Sequence, residues 1–186
     1  TANIETVNGR AGDDIITTII AGTGGGIESL DGGDGNDTLT LADGVNTVTV
    51  TNTETINGGT GGDVVTSTTN FTSTDTVDLG AGTDVLNLAT GNDTLFVKDA
   101  ETIADIGGTD TITLADGGQI TTVSGIETII GGTGNDAVTA GTVFTTGDSV
   151  DLKAGDGDTL NLLSGTNTLS VTNVETVNGD ASVGTQ

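Results

Sequence analysis

The stretch GGDGNDTLTL, residues 32–41, decides the fold. Its first half packs glycine and aspartate into a tight turn. Its second half alternates threonine with leucine, the period-two pattern of a strand buried on one face. Nearly the same text returns as GGTGGDVVTS (58–67) and GGTGNDAVTA (131–140), with looser versions in GRAGDDIIT (9–17) and LGAGTDVLN (79–87). An acidic turn followed at once by a short strand, repeated along a chain, marks a stacked array rather than a single globule.

Working outward, an acid–hydroxyl–aliphatic triplet starts at Glu5, Glu28, Glu54, Asp75, Glu101, Glu127, Asp148 and Glu175, at intervals of 23, 26, 21, 26, 26, 21 and 27 residues. The turn aspartates Asp14, Asp37, Asp63, Asp84, Asp110 and Asp136 each lie nine residues after a triplet acid, and Asp158 lies ten after its own. Over these runs a longer echo, residues 28–100 against 101–174. Two residues after each turn aspartate stands an aliphatic: Ile16, Leu39, Val65, Leu86, Ile112, Val138 and Leu160. Each unit predicts three short strands: the triplet, the strand after the aspartate, and a third such as NTVTVT (46–51), DTLFV (93–97) or NTLSV (167–171).

Paired volumes support this alternation. The long units carry Leu41 with Val50, Leu88 with Val97, Leu114 with Val123 and Leu162 with Val171, whereas the two 21-residue units carry Ser67 with Phe71 and Ala140 with Phe144. Small and large exchange places, as side chains sharing one interior must. One unit per turn predicts an all-β chain, a right-handed parallel β-solenoid of three faces with about 24 residues per turn. The competing geometry is a two-sided roll of about 18 per turn. Residues 1–186 read as one repeat domain, and the pattern broken at both ends reads as a piece of a longer protein.

Composition narrows the function. The formal net charge is −24, with only Arg10, Lys98 and Lys153 basic, so nucleic acid is a poor partner and cations are good ones. Cysteine and histidine are absent, which leaves no disulfide and no thiolate or imidazole ligand. No apolar run approaches a membrane span. The missing histidine and tyrosine, and carboxylates that recur everywhere instead of forming one distinct pair, argue against an enzyme. Stacked turns would bring the aspartates together along the rod at about 4.8 Å spacing, where like charges repel. A hard dication between them converts the repulsion into a staple, because Ca2+ takes six to eight carboxylate and carbonyl oxygens. Asparagine forms turns as well as aspartate does, yet the seven turn positions are all aspartate.

The nonapeptide G-G-x-G-x-D-x-U-x, with U a large aliphatic, fits residues 32–40, 58–66 and 131–139. The chain thereby resembles the calcium-binding RTX repeats of type I secreted bacterial proteins. That resemblance implies several Ca2+ ions held by Asp14, Asp37, Asp63, Asp84, Asp136, Asp110 and Asp158, with backbone carbonyls around Gly32, Gly33, Gly35, Gly58, Gly59, Gly61, Gly80, Gly82, Gly131, Gly132 and Gly134. It also implies export, folding on calcium outside the cell, and a place in a surface layer, adhesin or extracellular filament. Here the nonapeptides come once per unit rather than in tandem, which implies one main row of ions; DIGGTD (105–110) and KAGDGD (153–158) depart from the pattern.

The triplet acid has three readings: a second row of ligands, a cap for backbone amides, or a solvated corner, the last two preferred. Expected partners besides Ca2+ are neighbouring copies, end to end or side by side, and cell-surface polysaccharide. Two rival functions stand beside the leading one. The first is an ice- or surface-binding face built on Thr38/Thr40 and Thr111/Thr113, which Val64, Val85 and Ala137 would interrupt. The second is a polysaccharide-acting β-helix enzyme, by analogy of fold alone.

Overall fold

The computed structural model describes residues 4–19 and 27–179, and every regular element in them is a β-strand. Ten strands form one parallel sheet: β1 (Ile4–Asn8), β3 (Ile27–Asp31), β5 (Thr47–Thr51), β7 (Val64–Ser67), β9 (Val85–Asn87), β11 (Thr102–Ala104), β13 (Ile120–Ser124), β15 (Ala137–Ala140), β17 (Thr159–Asn161) and β19 (Thr176–Asn178). Nine form the other: β2 (Ile15–Thr17), β4 (Thr38–Thr40), β6 (Thr55–Asn57), β8 (Thr76–Asp78), β10 (Thr94–Lys98), β12 (Thr111–Leu114), β14 (Thr128–Ile130), β16 (Asp148–Asp151) and β18 (Leu169–Thr172). Consecutive strands alternate between the sheets, so each turn of this parallel β-solenoid has two strands and two loops. We call the sheets odd and even after their strands.

The solenoid therefore has two faces, not three. Stacked partners stand 17 to 23 residues apart, as in Val48 with Val65, Ile103 with Val123 and Ile16 with Leu39. The physical reason lies in the repeat. The units of 26 or 27 residues do hold three strands, but three strands make one and a half turns; the units of 21 and 23 hold two, one whole turn. The value near 24 is an average over both kinds. Residues 28–100 and 101–174 accordingly each span eight strands, β3 to β10 and β11 to β18, which is four turns apiece.

The core lies between the sheets as stacked columns. Val48, Val65, Leu86, Ile103 and Val123 climb the odd sheet, and Ile16, Leu39, Ile56, Val77, Val97 and Leu114 climb the even one. Leu39, Ile56, Leu86 and Ile103 are fully buried, and each such side chain contributes about 1.5–3 kcal/mol. Ser67, Phe71, Ala140 and Phe144 are all buried, so the exchange of volumes does occur inside one core; Val171, near the last turn, is exposed.

Candidate functional site

Two acidic columns expected from the sequence merge into one structural position. The residue directly before a strand is Asp, Asn, Glu or Gln at Asp14, Asp37, Asn46, Glu54, Asp63, Asp75, Asp84, Asp93, Glu101, Asp110, Gln119, Glu127, Asp136, Asp158 and Glu175. Because strands alternate between sheets, these residues divide between two edges. Asp14, Asp37 and Asp110 stand on the edge leading into the even sheet; Asp63, Asp84, Asp136 and Asp158 stand on the edge leading into the odd sheet. The seven turn aspartates therefore do not stand in a single row. The position also admits Asn46 and Gln119, so it is not reserved for aspartate.

The corner side chains act on the backbone of the adjacent turn. The amide of Asp63 donates to Asp84 Oδ1 (2.6 Å), and that of Asp84 donates to Glu101 Oε2 (2.7 Å). Asn46 opens this ladder, donating through both its amide and its side chain to Asp63 Oδ1. Three more ladders repeat it. The amides of Asp14 and Asp37 donate to Asp37 and Glu54; those of Phe71, Asp93 and Asp110 to Asp93, Asp110 and Glu127; those of Gln119, Asp136 and Asp158 to Asp136, Asp158 and Glu175.

Each ladder ends on a glutamate. The glutamate ends a three-residue loop (52–54, 99–101, 125–127 or 173–175), whereas the loops ending in Asp37, Asp63, Asp84, Asp93, Asp110 and Asp136 have six residues. The extra methylene of glutamate spans what the shorter loop leaves uncovered. Among the readings open for the triplet acid, capping of backbone amides is the one seen at Glu54, Glu101, Glu127 and Glu175. Asp75 and Asp148 cap their own loops instead, accepting from the amides of Thr72 and Thr145 (both 2.6 Å). The side chain of Glu5 lies outside the described residues.

Backbone amides engage both oxygens of Asp136, from Gln119 (2.8 Å) and Gly132 (3.3 Å), but capping occupies only one oxygen of the other ladder aspartates. The other, Oδ2, is buried without a partner in Asp14, Asp37, Asp63, Asp84, Asp93, Asp110 and Asp158. A buried acceptor without a partner costs about 1–3 kcal/mol, and more if it is charged. Burial accordingly raises the carboxyls of Asp63, Asp84, Asp93 and Asp136 above the usual carboxylate range, and raises Asp110 to about 7. Among the described residues no basic side chain pairs with them. Lys98 pairs with Asp78 and Asp99 (both 2.9 Å), and Lys153 with Asp151 (2.7 Å).

The glycines explain how these oxygens meet the next turn. A Cβ on Gly9, Gly32, Gly58 or Gly131 would stand 2.5 to 2.8 Å from Oδ2 of Asp14, Asp37, Asp63 or Asp136 in the same loop. The same Cβ would overlap the carbonyl oxygen of Gly32, Asn52, Leu79 or Leu152 from a neighbouring turn. Carboxylate and carbonyl oxygens thus approach one place from different sides, and only glycine leaves them room. Such a mixed set of hard oxygens fits Ca2+. Among the described residues no three acidic side chains are grouped closely enough to hold a metal by themselves, so carbonyls must supply part of any shell. Of the expected carbonyls, those of Gly59 and Gly132 already accept from the amides of Ala81 (2.9 Å) and Ala154 (3.4 Å).

The threonine face also differs from expectation. Thr38, Thr40, Thr111 and Thr113 lie on the even sheet, whereas Val64, Val85 and Ala137 lie on the odd sheet and cannot interrupt them. What shares the even face is Asn57, Asp78, Phe96 and Lys98. No helix among the described residues is long and apolar enough to cross a membrane. No family model, curated protein or solved structure matches the chain.

Asp93 and Asp105 were not singled out from the sequence. Asp93 closes ATGND (89–93) without the leading glycines, but it is followed by Thr-Leu, the signal common to the pre-strand position.

Proposed function

We propose that this chain is a calcium-stapled structural segment of a larger secreted or cell-surface protein, a surface layer, adhesin or extracellular filament, with type I export as the route its RTX resemblance implies. One observation carries the proposal: at both edges, buried Oδ2 atoms without partners face carbonyl oxygens of the next turn across glycines. Asp14, Asp37, Asp63, Asp84, Asp110, Asp136 and Asp158 would hold the ions together with loop carbonyls. The bound ion would supply the positive charge that the chain, at net −24, lacks. Binding is then folding energy, since the loops converge only when the turns are stacked. In a calcium-poor cytosol repulsion keeps the chain open, and millimolar calcium outside closes it.

The test is a calcium titration of the chelated protein followed by circular dichroism. Strand signal should rise with calcium and collapse on chelation. A spectrum indifferent to calcium at neutral pH overturns the proposal.

The even-sheet threonines favour a second reading, a face that binds ice or another ordered surface. Thermal hysteresis would support it, and its absence with the protein fully folded would remove it.

A further inference from the structure

The loop over residues 105–110 differs from the glycine-led loops in one respect that bears on binding. Where loops 9–14, 32–37, 58–63 and 131–136 begin with glycine, this one begins with Asp105. The missing Cβ of those glycines points at Oδ2 of the loop's own aspartate, which is without a partner in Asp14, Asp37 and Asp63 and accepts from the Gly132 amide (3.3 Å) in Asp136. At Asp105 that first position carries a carboxylate instead, only 6% exposed. Its Oδ2 accepts from the amide of Gly107, and its Oδ1 is buried without a partner.

The adjacent ladder adds two more such oxygens. Asp93 gives Oδ1 to the amide of Phe71 (2.6 Å), and Asp110 gives Oδ1 to the amide of Asp93 (2.8 Å). Oδ2 of both, in residues fully buried, is without a partner. Among neighbouring charges, Asp105 is the one that raises Asp110 most, ahead of Glu127 and Asp93. Asp105 also raises Asp93. The loops meet closely: a Cβ on Gly108 would overlap the carbonyl oxygen of Gly91, and the amide of Gly91 donates to the carbonyl of Gly107 (2.7 Å).

We infer that loops 88–93 and 105–110 form a calcium site of higher charge than the others, in which Asp105 joins Asp110 as a second side-chain ligand and loop carbonyls complete the shell. This rests on the calcium reading above and deepens it. Calcium affinity rises with the number of charged ligands. A loop that departs from the nonapeptide is thus the one that fills first. The plainer role of Asp105, a cap for Gly107, uses one oxygen and leaves Oδ1 unexplained.

Equilibrium dialysis and calorimetry with calcium alone test the inference on the intact chain, Asp105→Asn and Asp63→Asn. Asparagine keeps an acceptor for Gly107, and dichroism in saturating calcium checks that each variant folds. The intact chain should show one tight class of binding ahead of weaker ones. Asp105→Asn should weaken that class by about tenfold or more, as expected for a lost charged ligand, while Asp63→Asn should spare it. A tight class untouched by Asp105→Asn, or no tight class in the intact chain, overturns this inference alone. Absence of any calcium binding overturns it together with the proposed function.

Discussion

Asp63→Asn separates a carboxylate that waits for a cation from one that merely caps an amide. Asp63 Oδ1 accepts from Asn46 through its amide (2.9 Å) and its side chain (2.8 Å), and asparagine retains that oxygen. At Oδ2 the substitution exchanges a buried, unpartnered acceptor for an NH2 donor beside the carbonyl of Leu79. Relief of the unpartnered oxygen is worth about 1–3 kcal/mol and a new hydrogen bond about 1 kcal/mol, so the chelated protein should gain about 2–4 kcal/mol. In calcium the sign should reverse, because the variant lacks a carboxylate that the proposed site uses. Urea melts followed by dichroism, in chelator and in millimolar calcium, read both arms. Equal shifts of the same sign in the two media would show that no ion engages Asp63, and the reasoning would fail.

Acidification should act in the unusual direction. Burial, with the charges of Asp105, Glu127 and Asp93 adding to it, holds Asp110 at about 7 against an ordinary 3.8. Between those values the folded chain keeps a proton that the unfolded chain releases, so stability falls as pH rises through the window. Chelated protein should therefore gain strand signal from pH 7 down towards 4, and loss of structure on that descent refutes the assignment. Glu101→Ala removes the acceptor for the Asp84 amide and should cost about 1–3 kcal/mol with or without calcium. Glu101→Gln, which keeps an acceptor, should restore most of it; a cost seen only in calcium would make Glu101 a ligand rather than a cap.

The strand pattern was legible because alternation such as Thr38-Leu39-Thr40 leaves no other period. The number of faces was not. Strands β6 and β11 both open with a Thr that follows Glu, yet they lie in different sheets. Nothing local in Glu54-Thr55-Ile56 or Glu101-Thr102-Ile103 records which sheet it enters, because the two edges impose the same chemistry. The same blindness hid the kinship of Asp84 and Glu101, which share one ladder but follow loops of different length. Asp63 and Asp37 could be picked out by their glycines. Asp105 could not, since its meaning comes from standing where a glycine would otherwise leave space.

The two-strand turn has a mechanical consequence. Each turn adds about 4.8 Å to the rod but coils 17 to 23 residues, which extend to roughly 60–80 Å when drawn out. Every turn leans only on its neighbours, so tension applied at one end releases chain a coil at a time, more than tenfold longer than the length it replaces. A tether built this way would behave as a wound reserve, yielding by increments under load and, if calcium engages the corner aspartates as proposed, rewinding wherever that ion remains to latch the returning coils.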